Sequence, residues 1–200
     1  MRIEDIYRDL PLLETDRLIL RKLKRDDVLD LFAYASRSEV SKYVTWDSHR
    51  SVRDSKNFIG YILNLYREHR VAPWGIEDKK TRRLIGTVDF VWWKPDQGTA
   101  EIGYVLSPEY WGRGIMTEAV KKLIEFGFER MRLIRIQARC FAENKASARV
   151  MEKAGMTFEG TLRKAIYAKG RHWDLKVYSI LKEEYFLNDS NTKSQTTRKR

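Results

Sequence analysis

A single cysteine, Cys140, is all the thiol chemistry in 200 residues, so no disulfide can form within the chain. That scarcity fits a reducing, cytoplasmic compartment. The three histidines, His49, His69 and His172, are scattered, and with one cysteine no spacing resembles a zinc site. No stretch approaches the ~20 apolar residues of a membrane span. The opening MRIEDIYRDL lacks the apolar run of a signal peptide. Internal repeats are missing. So are GxGxxG and the lysine and serine/threonine spacing of a P-loop, which leaves a dinucleotide or nucleoside triphosphate reading without support. RNP, zinc-finger and helix-turn-helix signatures are absent as well.

What the chain does have is core-forming material. Its hydrophobic fraction is 42% and it holds six tryptophans, which rules out a disordered chain. The length suits one domain, predicted over 1–187. The apolar-poor NDSNTKSQTTRKR at 188–200 is predicted to be a disordered basic tail. The formal net charge is +11, which fits either a polyanionic partner or a merely soluble basic surface.

Periodicity gives the element order. RLILRKL (17–23) alternates as a strand. Asp26 and Asp27 then precede a helix face of Val28, Leu31, Phe32 and Ala35. A second helical period runs between Ser51 and Arg70. APWGIED (72–78), LIGTVDFVWW (84–93) and TAEIGYVLS (99–107) read as strands separated by polar turns. A helix face of Met116, Ala119, Val120, Leu123, Ile124 and Gly127 follows. Next come strand LIRIQARC (133–140), helix ENKASARVMEKAG (143–155), and strands MTFEGTLRKAIY and WDLKVYSILKEEY around Lys169-Gly170. The hairpin makes the middle strands antiparallel, and the strand–helix–strand segment 99–140 implies a parallel crossover. The predicted fold is α/β, a mixed central sheet with helices on both faces.

The stretch YWGRGIMTEAV (110–120) puts two glycines and an arginine directly before a helix. Glycine lets a ligand approach the main chain closely. A helix N-terminus offers free N–H groups and a partial positive charge, a combination suited to phosphate. Gly112, Gly114, Arg113 and the N–H groups of Ile115, Met116 and Thr117 can therefore cradle a pyrophosphate. Taken alone, the glycines serve a tight strand-to-helix turn equally well.

The neighbouring motifs carry a resemblance. EIGYVLSPEYWGRGIMTEAV followed by ARCFAENKASARVMEKAGMTFEGTLRK closely resembles the GNAT N-acetyltransferases. Within them it resembles the branch that acetylates N-terminal amino groups of ribosomal proteins, as does the opening ETDRLILRKLKRDD. The family's loop pattern is Gln/Arg-x-x-Gly-x-Gly/Ala, and this chain has Trp111, Gly112, Arg113, Gly114, Ile115 and Met116, with Met116 in place of a small residue. The resemblance implies a GNAT fold, acetyl-CoA as co-substrate, and a loop that binds the CoA pyrophosphate. It also implies that 99–107 splays from 133–140, exposing backbone at Tyr104, Val105 and Leu106 to the pantetheine arm. A backbone N–H near Val105 would then meet the oxyanion.

Glu101 stands mid-strand among apolar residues, where a carboxylate needs a partner. The resemblance makes it the catalytic base; the alternative is a structural carboxylate bonded to nearby backbone or an arginine. Asn144 is a good N-cap, and Ser147 fits the first turn of the helix that follows. By resemblance, Asn144 bonds the CoA arm and Ser147 faces the thioester sulfur as a catalytic hydrogen-bond donor. Cys140 reads as a core thiol rather than an acyl carrier, so transfer is direct. Tyr43, Trp46, Trp92 and Trp93 either line the acceptor site or complete the core. The implied acceptor is a protein N-terminus, with a small amine such as a polyamine, antibiotic or amino acid as the competing reading. The basic surface suits a contact with the ribosome or RNA, and the third reading is a non-catalytic acyl-CoA or RNA-binding module.

Overall fold

Alternation of buried and less buried residues sets which face of a strand turns to the core. In the computed structural model, which describes residues 1–187, helix α1 (Glu4–Tyr7) and strand β1 (Leu13–Glu14) precede β2 (Leu18–Arg21). Leu18 and Leu20 are fully buried, while Ile19 and Arg21 point to the other face. Helices α2 (Val28–Ala35), α3 (Ser38–Ser41) and α4 (Val52–Arg67) follow. A reciprocal Ser51–Asp54 capping box starts α4. Then come β3 (Trp74–Asp78), β4 (Leu84–Lys94), β5 (Thr99–Leu106), α5 (Ile115–Arg130), β6 (Arg135–Phe141), α6 (Lys145–Lys153), β7 (Thr157–Ala168) and β8 (Arg171–Leu181).

Among the described residues the strands form one sheet in the order β1-β2-β3-β4-β5-β6-β8-β7. Only β5 and β6 pair in parallel, as the α5 crossover requires. Trp74 packs edge-on against Phe90 and Phe126, and a Cβ on Gly127 would come within 3.3 Å of Phe90 and Ile136. These contacts put α5 on the Trp74 face. Arg21 and Glu77 point to the opposite face, where Arg21 grips Asp27 at the start of α2. Helices therefore cover both faces, and the fold is the mixed α/β architecture that the element order predicts.

The structure corrects the end of the chain's last strand. The pattern WDLKVYSILKEEY predicts a strand to Tyr185, but β8 stops at Leu181 and residues 182–187 are helical. The cause is local. The Leu181 N–H donates to the Glu184 carboxylate at 2.9 Å, so the chain turns into a capped helix instead of extending the ladder. Helix α1, strand β1 and helix α3 are additions that periodicity did not show, since none exceeds one turn or two residues. The turn at Lys169 and Gly170 has positive φ at both positions (51° and 77°), the geometry of a two-residue hairpin. The tail predicted at 188–200 lies outside the described residues.

Candidate active site

The site is a gap between two strands. Residues 99–102 of β5 pair with 135–138 of β6, and there the ladder ends. Beyond it β5 pairs only with β4, and 139–141 of β6 pair only with β8. The two strands thus splay over 103–106 and 139–141. The hydrogen-bond alternation decides which backbone groups face the gap. Ser107 N–H donates to the Ile85 carbonyl at 2.7 Å, so every second residue back along β5 also turns toward β4. Val105 is one of these: its carbonyl lies so near Gly86 that a Cβ there would stand 2.3 Å away. The expectation is a backbone N–H near Val105 for the oxyanion, and the register turns the N–H of Val105 itself to β4. The groups that face the gap belong to Tyr104 and Leu106.

The glycine loop sits at the end of this gap. Gly112 and Gly114 both adopt the left-handed conformation, at φ 72° and 75°, and open space surrounds the Gly112 Cα. Gly114 caps α5, whose first intrahelical donor is the Glu118 N–H. The N–H groups of Ile115, Met116 and Thr117 precede it and are left for a ligand. Ile115 and Met116 bury their side chains, so the bulk of Met116 goes into the core and leaves the cradle clear. Trp111 Nε1 donates to the Leu106 carbonyl at 2.9 Å and braces the loop on β5. Arg113 stacks its guanidinium over Tyr110 at 5.6 Å. Arg17 was missed by sequence reasoning. Its Nη1 donates to the Arg113 carbonyl at 3.0 Å, and it pairs with Glu118 at 2.6 Å. The loop is thus pinned from the residue just before β2, which no short-range pattern reveals.

On the α5 face, three side chains meet at the gap. Tyr104 projects from β5 so that its hydroxyl is 2.9 Å from Ser147 Oγ and donates to the Ser147 carbonyl at 3.0 Å. Asn144 Oδ1 accepts the Ser147 N–H at 3.0 Å, which makes Asn144 the N-cap of α6. Cys140 lies beside Ser147, and burial pushes its thiol up to about 11. A thiol so shifted is neutral at physiological pH, which disfavours a covalent acyl carrier. The Tyr104 hydroxyl is likewise raised by burial and stays protonated.

The other face carries the carboxylates. Glu101 is 5% exposed and fully engaged. It accepts from Trp92 Nε1 at 3.2 Å and Gln137 Nε2 at 2.7 Å, and Arg139 Nε lies 3.0 and 2.8 Å from its two oxygens. The arginine partner that the sequence left open is therefore present. A bulge between Phe90 and Trp92 aims the Trp92 side chain at Glu101, while Trp93 turns into the core. Glu101 and Ser147 share no hydrogen bond. They stand on opposite faces of β5, either side of the gap. Asp89 on β4 lies on the Glu101 face opposite Gly103 and was also missed, although a charge inside LIGTVDFVWW is the same signal that singled out Glu101.

An aromatic wall closes the splayed end of β6. Phe141 stacks on Trp173 at 4.6 Å, and Tyr43 meets Trp173 edge-on at 6.4 Å. Cations cover the wall: Arg171 over Trp173 at 3.5 Å and Lys42 over Tyr43 at 5.0 Å. Lys169, from the β7–β8 turn, bonds the Trp46 carbonyl at 3.0 Å and Asp47 at 3.1 Å, tying the hairpin to the segment before α4. Among the described residues no cluster of three metal-ligating side chains occurs, and no helix is long and apolar enough to cross a membrane.

Known proteins resemble this chain in sequence and in fold. The sequence model of the acetyltransferase (GNAT) domain matches residues 17–157. YoaA of Bacillus subtilis strain 168, an N-acetyltransferase whose name gives no acceptor, is 40% identical over 172 residues, covering 86% of this chain and 97% of its own. YdaF of the same organism, named for ribosomal N-acetylation, is 42% identical over 86 residues, 43% of this chain and 47% of its own. A GNAT-family acetyltransferase of Bacillus anthracis superposes with a TM-score of 0.78 at 33% identity, covering 86% of this chain and 99% of that one.

Proposed function

The chain belongs to the GNAT acetyltransferase family, and from that premise we propose that its acceptor is the α-amino group at a protein N-terminus, a ribosomal protein first among them. The enzyme is an N-acetyltransferase that takes its acetyl group from acetyl-CoA. In this reading the N–H groups of 115–117, Gly112, Gly114 and Arg113 hold the CoA pyrophosphate, and Trp111 and Arg17 keep the loop in shape. The outward backbone of Tyr104 and Leu106 holds the pantetheine amides, and one of their N–H groups meets the oxyanion. Asn144 places Ser147, whose hydroxyl gives a hydrogen bond to the departing thiolate with Tyr104 behind it. Transfer is direct, from thioester to amine.

The observation that carries the choice of acceptor is the cation-covered aromatic wall. Lys42, Lys169 and Arg171 line this wall; Asp47 pairs with Lys169 and Glu143 with Arg171, which leaves the Lys42 ammonium over Tyr43 as the like charge that a polyamine or aminoglycoside meets. A protein N-terminus brings one amine on a neutral or acidic segment. Amine ionisation points the same way. An α-amine titrates near ~8 and a lysine near ~10.4, so roughly two orders of magnitude more α-amine is neutral at pH 7. The ribosomal name of YdaF supports the class of protein. The test is a kinetic panel at equal concentration: a serine-initiated peptide with a free α-amine, the same peptide N-blocked with a free lysine, spermidine and an aminoglycoside. The highest kcat/KM on the free α-amine is expected. Preference for spermidine or the aminoglycoside would replace this acceptor with a small amine.

A further inference from the structure

We propose that Asp89 is the general base of the transfer, the carboxylate that takes the proton from the acceptor amine. The proposal rests on the acetyltransferase reading above and adds a residue to it. Val88 and Phe90, its neighbours on β4, are fully buried on the α5 face, while Asp89 turns half-buried to the opposite one. Its register partner is Gly103, the first residue of β5 beyond the last β5–β6 pair. A Cβ on Gly103 would stand 3.2 Å from Asp89 Oδ1 and 2.6 Å from Val91, so glycine there leaves room for the carboxylate. Asp89 therefore flanks the point where the gap opens.

Its chemistry also differs from that of Glu101. Both Glu101 oxygens are occupied by Arg139, Gln137 and Trp92. The Asp89 carboxylate has no hydrogen-bond or ion-pair partner among the described residues, which leaves its lone pairs for a substrate. The titratable groups whose charge couples to it are Glu101 of β5 and the Tyr66 and Tyr7 hydroxyls of α4 and α1, and Arg139 of β6 is committed to Glu101. Burial, and then the charge of Glu101, push Asp89 up to about 7. Proton transfer from an α-ammonium of ~8 to such a carboxylate is roughly tenfold uphill, against about ten-thousandfold for an ordinary aspartate. Glu101 acts in this scheme as a positioning residue that sets the basicity of its neighbour.

The step balances. Asp89 accepts one proton from the ammonium, and the freed nitrogen pair forms the N–C bond to the thioester carbonyl carbon. The C–S bond breaks with its pair on sulfur, the second amine proton ends on the thiol, and Asp89 returns its proton to solvent. Two measurements on the full chain test this. In carboxyl carbon NMR, assigned by Asp89→Asn, one aspartate should titrate near pH 7 and should titrate lower, on the order of one unit, in Glu101→Gln. A midpoint near 4 overturns the proposal, whichever amine is acetylated. With acetyl-CoA and the serine-initiated peptide, Asp89→Asn should lower kcat about a hundredfold or more while the acetyl-CoA KM stays within about twofold. Turnover within about threefold of wild type overturns it. If Asp89→Asn does not fold, Glu101→Gln decides: its acidic limb of kcat should move to lower pH, and an unmoved limb overturns the proposal. Wild type that acetylates no amine in the panel would sink the acceptor reading instead, and the titration would still judge Asp89.

Discussion

A hydroxyl that is to steady a leaving thiolate must be held in place, and Ser147 is held by its own N–H on Asn144 and by Tyr104. Ser147→Ala should lower kcat about tenfold or more, equivalent to about 1.4 kcal/mol, with acetyl-CoA affinity nearly unchanged. Tyr104→Phe keeps the ring and should cost less, about 0.5–1 kcal/mol. Steady-state kinetics on both variants checks the order, and a larger loss from Tyr104→Phe would give the donor role to the tyrosine. Two carboxylates give opposite pH signatures. Asp89 is raised in the folded protein, so its contribution to stability is full below about pH 4 and is lost as pH rises through about 7. Glu159 is lowered to about 2, chiefly by Arg135, so its contribution is full above about pH 4.3 and is lost as pH falls toward 2. The Glu159 pair is more than a third exposed on the carboxylate side and is screened, which makes it the smaller effect. Melting temperature against pH should lose its slope between 4 and 7 in Asp89→Asn and keep it in Glu159→Gln. The sequence flags a charge within an apolar strand, which is how Glu101 stood out. Whether that charge has a partner depends on register across β4, β5 and β6, and no single stretch of sequence contains that.

The loop before α5 was the most legible element, because its two glycines and the following helix face are local. Its anchor was not legible. Arg17 reaches Arg113 and Glu118 from the far side of the sequence, and only the sheet brings β2 near the start of α5. Arg17→Ala should therefore weaken acetyl-CoA binding several-fold with little change in kcat. Gly114→Val should do more, since a β-branched residue at φ 75° costs roughly 1–2 kcal/mol and distorts the cradle. Isothermal titration with CoA reads both, and wild-type affinity in a folded Gly114→Val protein would remove the loop from phosphate binding. The last strand was misread for an equally local reason. WDLKVYSILKEEY alternates beyond Leu181, but the Glu184 carboxylate captures the Leu181 N–H and starts a helix.

At the scale of the whole molecule, hairpin and crossover spacing were enough to predict a mixed sheet with helices on both faces. The splay between β5 and β6 was implied only by family resemblance, since pairing ends where two strands diverge and not at a residue type. That splay brings together parts from across the chain: the glycine loop at one end, the Tyr104–Ser147 pair on one face, the carboxylates on the other, and the cationic aromatic wall at the mouth. The central claim is that this arrangement moves an acetyl group from acetyl-CoA to a protein α-amine. Intact-protein and peptide mass spectrometry of unacetylated ribosomal proteins incubated with the enzyme and acetyl-CoA tests it most directly. The account predicts a single added acetyl group at the N-terminal amine of one or a few proteins, dependent on the enzyme. Acetylation confined to lysine side chains, or none on any protein while spermidine or an aminoglycoside in the same mixture is modified, would contradict it.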